Sequence, residues 1–262
     1  MRPTLLLILL LLVSSLHLNA GNDFCGLRNT TFKTGESLTF KVFYTLAGIY
    51  VGAGEAVITV NLERMNNRPV YHITGDGKTF NFYDSFFKVR DKYESYIDTA
   101  TLQPLRFIRN VYEGGYKKYE NVIFNQETNT ATGSEGPIKV PNCIQDVLSS
   151  LYYARNIDFN KYKVDDKIPF AMFLGNEVYN LYVRYMGKET VKTKSGKFRA
   201  IKFKPLLIKG SIFEGGEKMT VWVSDDQNHI PLRVESPISV GSVKVDMMDT
   251  RNLRHPLTSK IN

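Results

Sequence analysis

Hydrophobic and polar residues alternate along most of this chain in short runs separated by Gly, Asn, Asp and Pro. In the first such run Leu38, Phe40, Val42 and Tyr44 share one face while Thr39, Lys41 and Phe43 share the other. That is the two-residue period of a strand. Similar runs at 37–46, 53–63, 69–78, 89–97, 103–113, 116–125, 176–189, 196–208, 216–224, 230–236 and 239–250 recur at a spacing of roughly 8 to 15 residues, which predicts antiparallel hairpins in place of βαβ units. The Gly-Gly pairs in Tyr112–Tyr116 and Phe213–Glu217 separate strand-like runs and suit tight turns needing positive φ. No helix follows either pair, so a phosphate-cradling loop is not expected. Gly48, Gly52 and Gly54 fall close together and predict a sharp bend or barrel corner, with a ligand approaching bare backbone as the other reason for such glycines.

A different period follows Pro141. Ile144, Val147, Leu148, Leu151 and Tyr152 form the stripe of a helix buried on one side, predicted over about 142–155 with Asn142 as cap and Gln145 reaching back to it. A second, short helix is expected at about 80–88, where Phe80, Phe82, Tyr83, Phe86 and Phe87 crowd together. Core packing is the ordinary reason for such crowding; a lid over an apolar cavity is the other.

The extreme N-terminus follows neither period. Arg2 precedes an unbroken apolar run from Leu5 to Val13 and then small and polar residues to Ala20, the pattern of a cleavable secretory signal with cleavage expected after Ala20. The run is about half the length of a membrane-spanning helix, and no later run approaches that length. The expected organisation is a signal peptide over 1–20 and a single β-barrel domain over 21–262, located in the periplasm. A hydrophobic fraction of 43% with 23% charged residues is that of a folded chain. Regular ten-residue alternation with aromatic girdles is lacking, which argues against a lipid-facing barrel.

Export changes the meaning of the two cysteines, Cys25 and Cys143. In an oxidising compartment they can form one disulfide, and the alternative is a pair of buried thiols. A Cys-x-x-Cys redox pair is excluded by their spacing.

The search for catalytic chemistry finds little. His72, His229 and His255 are far apart, no local set of zinc ligands can be assembled, and nucleophile-elbow, Walker and dinucleotide motifs are missing. No metal or cofactor is expected. Asp225 with Asp226, or Asp91 with Glu94, could flank a glycosidic bond, but the first pair sits in a polar turn that favours Asp on local grounds alone. The expectation is a protein that is not an enzyme.

Charge is concentrated. Nine basic residues from Arg184 to Lys209 face one acidic residue, Glu189, so this stretch carries the whole net charge of +8. Lys202 and Lys204 would lie on a face opposite Ile201 and Phe203, either as a solubilising outer surface or as a strip for an anionic partner. For an exported protein that partner would be an anionic lipid, lipopolysaccharide or an acidic glycan, and not a nucleic acid.

Three stretches carry a resemblance: Gly35–Phe40, Gln145–Tyr153, and Val221–Asp226 followed by Ile230–Glu235. Together they resemble an exported Bacteroidota family known only as a domain of unknown function. The resemblance implies a YmcC-like antiparallel β-barrel in the periplasm, a fold shared with capsule-associated envelope lipoproteins, although this chain lacks their lipid-bearing cysteine. It supplies no catalytic residues.

The expected fold is therefore mainly β, an antiparallel β-barrel or strongly curved half-barrel with one packed helix. The expected function is non-catalytic binding of a lipid-like or glycan component of the cell envelope, with Arg184, Lys202, Lys204, Phe82, Phe86 and Phe87 as candidate ligand contacts. A scaffold or interaction protein in envelope or exopolysaccharide assembly is the alternative, and a glycan hydrolase stands third.

Overall fold

The computed structural model describes residues 25–46, 49–209, 215–238 and 241–261. The expected signal peptide, Gly48, and Phe213 and Glu214 of the second Gly-Gly turn lie outside these residues.

Each of the eleven expected runs contains a strand, and the described residues add four more. The strands are β1 (Ser37–Leu46), β2 (Ile49–Met65), β3 (Arg68–Thr79), β4 (Val89–Asp98), β5 (Pro104–Glu113), β6 (Tyr116–Asn125), β7 (Thr130–Gly133) and β8 (Gly136–Lys139), then β9 (Lys167–Leu174), β10 (Glu177–Thr193), β11 (Gly196–Pro205), β12 (Thr220–Ser224), β13 (Pro231–Pro237), β14 (Ser242–Arg251) and β15 (Lys260–Ile261). A 3-10 turn over Asn81–Tyr83 runs into the one-turn helix α1 (Asp84–Phe87), and the principal helix is α2 (Val147–Ala154).

One antiparallel sheet contains every strand, in the order β8-β7-β6-β5-β4-β3-β2-β1-β14-β13-β12-β11-β10-β9, with β15 added beside β11. Its two edges, β8 and β9, form no ladder with each other among the described residues. The architecture is thus the curved half-barrel expected from the sequence. The expected bend is a bulge: Val42 pairs with Gly54 and Phe43 with Gly52, leaving Ala53 over, while β2 continues unbroken from residue 49. Gly54 is required by close approach, because a Cβ there would lie 2.4 Å from the Lys78 carbonyl oxygen.

The edge strand β9 has no counterpart among the expected runs. Lys167–Leu174 does not alternate, since Ile168 packs in one core and Phe173 in another. Its Pro169 is tolerated because the strand is an edge. That edge is covered by the segment before α2: the Gln145 N–H donates to the Ala171 carbonyl (2.9 Å), and the Phe173 N–H donates to the Gln145 carbonyl (2.8 Å).

This pairing also corrects the start of the helix. Gln145 is in an extended bridge and Cys143 has φ of 58°, so neither residue can be helical. The cap is Asp146, whose carboxylate accepts from the Ser149 N–H at 2.8 Å while the Ser149 hydroxyl accepts from the Asp146 N–H at 2.7 Å. Cys143 is held there by a disulfide to Cys25, with Cα atoms 5.5 Å apart across a separation of 118 residues.

Helix α2 lies in the hollow of the sheet. Leu148, Tyr152 and Tyr153 are buried against Val60, Ile73, Ile97, Val183, Ile201 and Val223, so the largest core joins the first half of the sheet to the last. Burial of each such large side chain contributes roughly 1.5 to 3 kcal/mol. Gly75 makes room for the helix, its Cβ position being 3.5 Å from Leu148. A second core lies on the opposite face of β11 and β12, where Phe198, Ala200 and Trp222 meet Leu38, Leu232 and Met247. It forms because the β10–β11 hairpin folds back over β14, with the Ser195 hydroxyl donating to the Met247 carbonyl at 2.7 Å and the Lys194 N–H to Asp246 at 3.2 Å.

Candidate functional site

Between α2 and the curved sheet the two halves of the half-barrel do not fill the space. A cavity of about 390 Å³ remains, lined by Phe40 and Ile58 from the first strands, Leu151 and Ala154 from α2, and Phe170, Val183, Phe203, Val221, Val234 and Val245 from the later strands. The alternation that turns Ile201 and Phe203 inward does the same for Val221 and Val223, which is why the lining is apolar. Its polar neighbours are internally engaged. The Ser150 hydroxyl donates to the Val147 carbonyl at 2.9 Å, and Arg155 is committed to Glu36.

One end of this space is sealed. Arg155 donates to both carboxylate oxygens of Glu36 (2.6 and 2.9 Å) and to the Asn228 carbonyl (3.1 Å), and the Tyr152 hydroxyl donates to Glu36 at 3.2 Å. The N-terminal segment closes over them, with Phe32 fully buried against Tyr71 and Tyr152. Beneath it, the Leu27 N–H donates to the Tyr153 hydroxyl at 2.9 Å, and the Thr30 N–H to Asn156 at 2.7 Å. Toward the other end of the strands the lining continues to Pro205, the last residue of β11, and Met219, just before β12.

That other end carries the aromatic cluster. The strand registers Thr45↔Ser242, Leu46↔Ile49, Gly54↔Thr79 and Val89↔Glu113 place the β1–β2 turn, the β3–β4 connection, the β5–β6 turn and the β13–β14 turn along one rim. Phe82, Phe86 and Phe87 lie there with exposures of 75%, 79% and 45%, so the expectation that they form core is corrected. The cause is a tether that directs them outward. Arg90 grips the Asp84 carboxylate with two bonds (2.5 and 3.0 Å), and the Thr79 hydroxyl donates to Asp84 at 2.7 Å and accepts from the Val89 N–H at 3.0 Å. Phe87 rests on Gly114, whose missing Cβ would lie within 2.1 Å of its ring.

Five strands lie between β3, which leads into the aromatic cluster, and the basic strip on β11 and β10. Arg184 donates to both oxygens of Glu217 (3.0 and 2.7 Å), and Tyr182 also donates to Glu217. Those bonds, Arg184 first, hold the Glu217 carboxyl down at about 2. Lys202 contacts Glu189 at 3.3 Å and lies 5.6 Å from the centre of the Trp222 ring; the Trp222 N–H donates to Glu189 at 2.6 Å and lowers its pKa. Lys188 pairs with Asp225 at 2.9 Å. Lys204 lies opposite Arg184 in the ladder. The structure does not bring Arg184, Lys202 and Lys204 together with Phe82, Phe86 and Phe87.

The carboxylate pairs separate. Asp91 shares the inward face of β4 with Tyr93 and Ser95, whereas Glu94 faces outward to His72 at 2.9 Å. Asp225 is taken by Lys188, and Asp226 accepts from the Ser224 hydroxyl and the Asn228 and Ser259 N–H groups, closing its own turn. Sequence reasoning missed the partner Asp91 does have, Glu113 two strand positions along on β5. Desolvation first, and then the nearby Glu113 charge, raise Asp91 to about 7. The buried Glu36–Arg155 pair was also missed, since 119 residues separate its members.

Residues 39–248 match the family model described as "Protein of unknown function (DUF3108)". No curated protein matches the sequence. Among solved structures the chain is similar to a β-barrel-like protein of the DUF1849 domain of unknown function from Brucella abortus, at 8% identity and a TM-score of 0.54, covering 84% of this chain and 98% of that one. It is also matched to a protein from Bacteroides fragilis described as exported with a YmcC-like fold, at 12% identity and a TM-score of 0.33, covering 86% and 100% of the two chains. A lipoprotein-described chain from Parabacteroides distasonis aligns at 13% identity and a TM-score of 0.32, over 86% and 100%. The first of these shows a shared β-barrel-like fold.

Proposed function

The chain belongs to the DUF3108 family, and we propose that it is a non-catalytic periplasmic protein that binds the acyl or other apolar portion of an envelope component in the cavity between α2 and the sheet. The observation that carries this reading is the cavity itself: about 390 Å³, within the range of small-molecule sites, lined almost wholly by apolar side chains and sealed at one end. A glycan would require free polar groups at the wall, and Ser150 and Arg155 are both engaged. An acyl chain requires none, and gains roughly 0.8 kcal/mol for each methylene removed from water. The disulfide supports an oxidising compartment, as does the signal-like N-terminus.

Native mass spectrometry with lipid extraction, on protein purified gently from its own periplasm, tests the reading. A co-purifying lipid is expected with the wild type and should be lost from Leu151→Trp, which fills the cavity from the helix side, while circular dichroism confirms that the variant folds. An apo mass for the wild type, together with no uptake of added long-chain fatty acid, would overturn it.

A further inference from the structure

We infer that the rim carrying Phe82 and Phe86 is a docking surface for an anionic phospholipid bilayer. The inference rests in part on the cavity reading, because a carrier of apolar cargo must meet the membrane, and the cavity lining continues toward this rim at Pro205 and Met219.

Three observations support it independently of any ligand. First, Phe82 and Phe86 are among the most exposed large hydrophobic residues described, and they are adjacent, with ring centroids 6.4 Å apart. Ile49, 66% exposed at the β1–β2 turn, adds to the same rim. Rings held outward cost free energy in water, and membrane interfaces are where such rings are stabilised. Second, they are not on a loose loop: the Asp84–Arg90–Thr79 tether fixes the turn, so little ordering entropy is lost on insertion. Third, the charge is complementary. Lys88 and Lys117 are exposed beside the cluster, on either side of the Tyr112 ring at 5.9 and 5.6 Å. Of the acids at the cluster, Asp84 is held by Arg90, and Glu113, next to Gly114, is hydrogen-bonded to Asp91. The exposed acids Glu135 and Glu177 lie at the β7–β8 and β9–β10 turns, near the two edges of the sheet and away from α1 in the strand order. A bilayer contacting the α1 side would thus meet aromatics and lysines first, and lysines near an anionic surface are attracted to it.

Flotation of the mature chain with vesicles of phosphatidylcholine alone, or with 30% phosphatidylglycerol, tests this. Binding is expected only with phosphatidylglycerol, weakened by high salt, and reduced at least tenfold in both Phe82→Ala/Phe86→Ala and Lys88→Glu/Lys117→Glu. These side chains are exposed, so both variants should keep the wild-type melting temperature. Failure of the wild type to float, or equal flotation of wild type and both variants, overturns the proposal. So does co-purification of a protein partner lost in the aromatic variant while vesicle binding is absent. Fatty-acid uptake measured in solution separates the two readings: rim variants that take up fatty acid but do not float support docking. A wild type that floats but takes up none removes the cargo reading and leaves docking standing.

Discussion

Arg155, at the end of α2, and Glu36, immediately before β1, form a two-bonded ion pair in which the side chains are 1% and 0% exposed. It joins the helix in the hollow to the first strand of the sheet and seals one end of the cavity. Two charges so far from water are tolerated because each has further partners: Asn228 and the faces of Tyr152 and Phe32 for Arg155, and the Tyr152 hydroxyl for Glu36.

Removing one member should therefore cost more than removing both. Glu36→Leu or Arg155→Met alone is expected to destabilise by about 3 to 5 kcal/mol, since each strands a buried charge, whereas Glu36→Leu with Arg155→Met should cost less than either single. Urea denaturation of the four proteins measures the coupling, and additive effects would contradict the buried-pair account.

The disulfide holds the N-terminal segment over that sealed end. For a loop of 118 residues the chain-entropy model allows about 4 to 5 kcal/mol. Cys25→Ser/Cys143→Ser is accordingly expected to melt about 10 °C or more below the oxidised wild type. Reduction of the wild type should produce the same shift, and should leave the variant unchanged.

Asp91 makes stability depend on pH. Its carboxyl ionises near 3.8 when unfolded but near 7 in the fold, so between these values the native state holds the extra proton. Stability from this group therefore declines as pH rises from about 4 to about 7, and is level above. Asp146, raised to about 6 by burial, adds a decline of the same sign that ends lower. From pH 6 to 7 the decline from Asp91 runs against a rise from His229, whose pKa burial lowers from 6.5. There Asp91→Asn should remove the decline, and thermal melts in one buffer series would reveal an unchanged slope if Glu113 and burial do not act as described.

The two strand glycines Gly54 and Gly75 should respond oppositely to a methyl group. At Gly75 an added Cβ makes an ordinary 3.5 Å contact with Leu148, so Gly75→Ala should be neutral or stabilising by about 0.5 kcal/mol. At Gly54 the carbonyl of Lys78 lies 2.4 Å away and is fixed in the sheet, so Gly54→Ala should cost about 1 to 3 kcal/mol. Comparable melting temperatures for the two variants would show that the bulge can shift.

The features legible along the chain were local. Alternation located the first six strands within a few residues, because each half-buried strand writes its two faces into neighbouring positions. Gly114 and Gly115, both at positive φ, made the β5–β6 turn readable, and the stripe from Ile144 to Tyr152 located the helix. Where two faces, or two distant residues, meet was set by the folded arrangement of the strands. Strand β9 was silent because both of its faces are covered, which erases alternation. The helix cap fell at Asp146, four residues beyond the expected Asn142, because a disulfide and a bridge to β9 claimed Cys143 and Gln145. Phe82 and Phe86 read as core by composition, yet the Asp84–Arg90 tether turns them to solvent. The basic run from Arg184 was visible as charge, but Glu217 and Asp225, brought beside it by chain folding, engage Arg184 and Lys188. Local physical chemistry fixes an element's period and its turns; burial, the pairing of charges and the cavity depend on contacts between residues far apart in the chain, which only folding supplies.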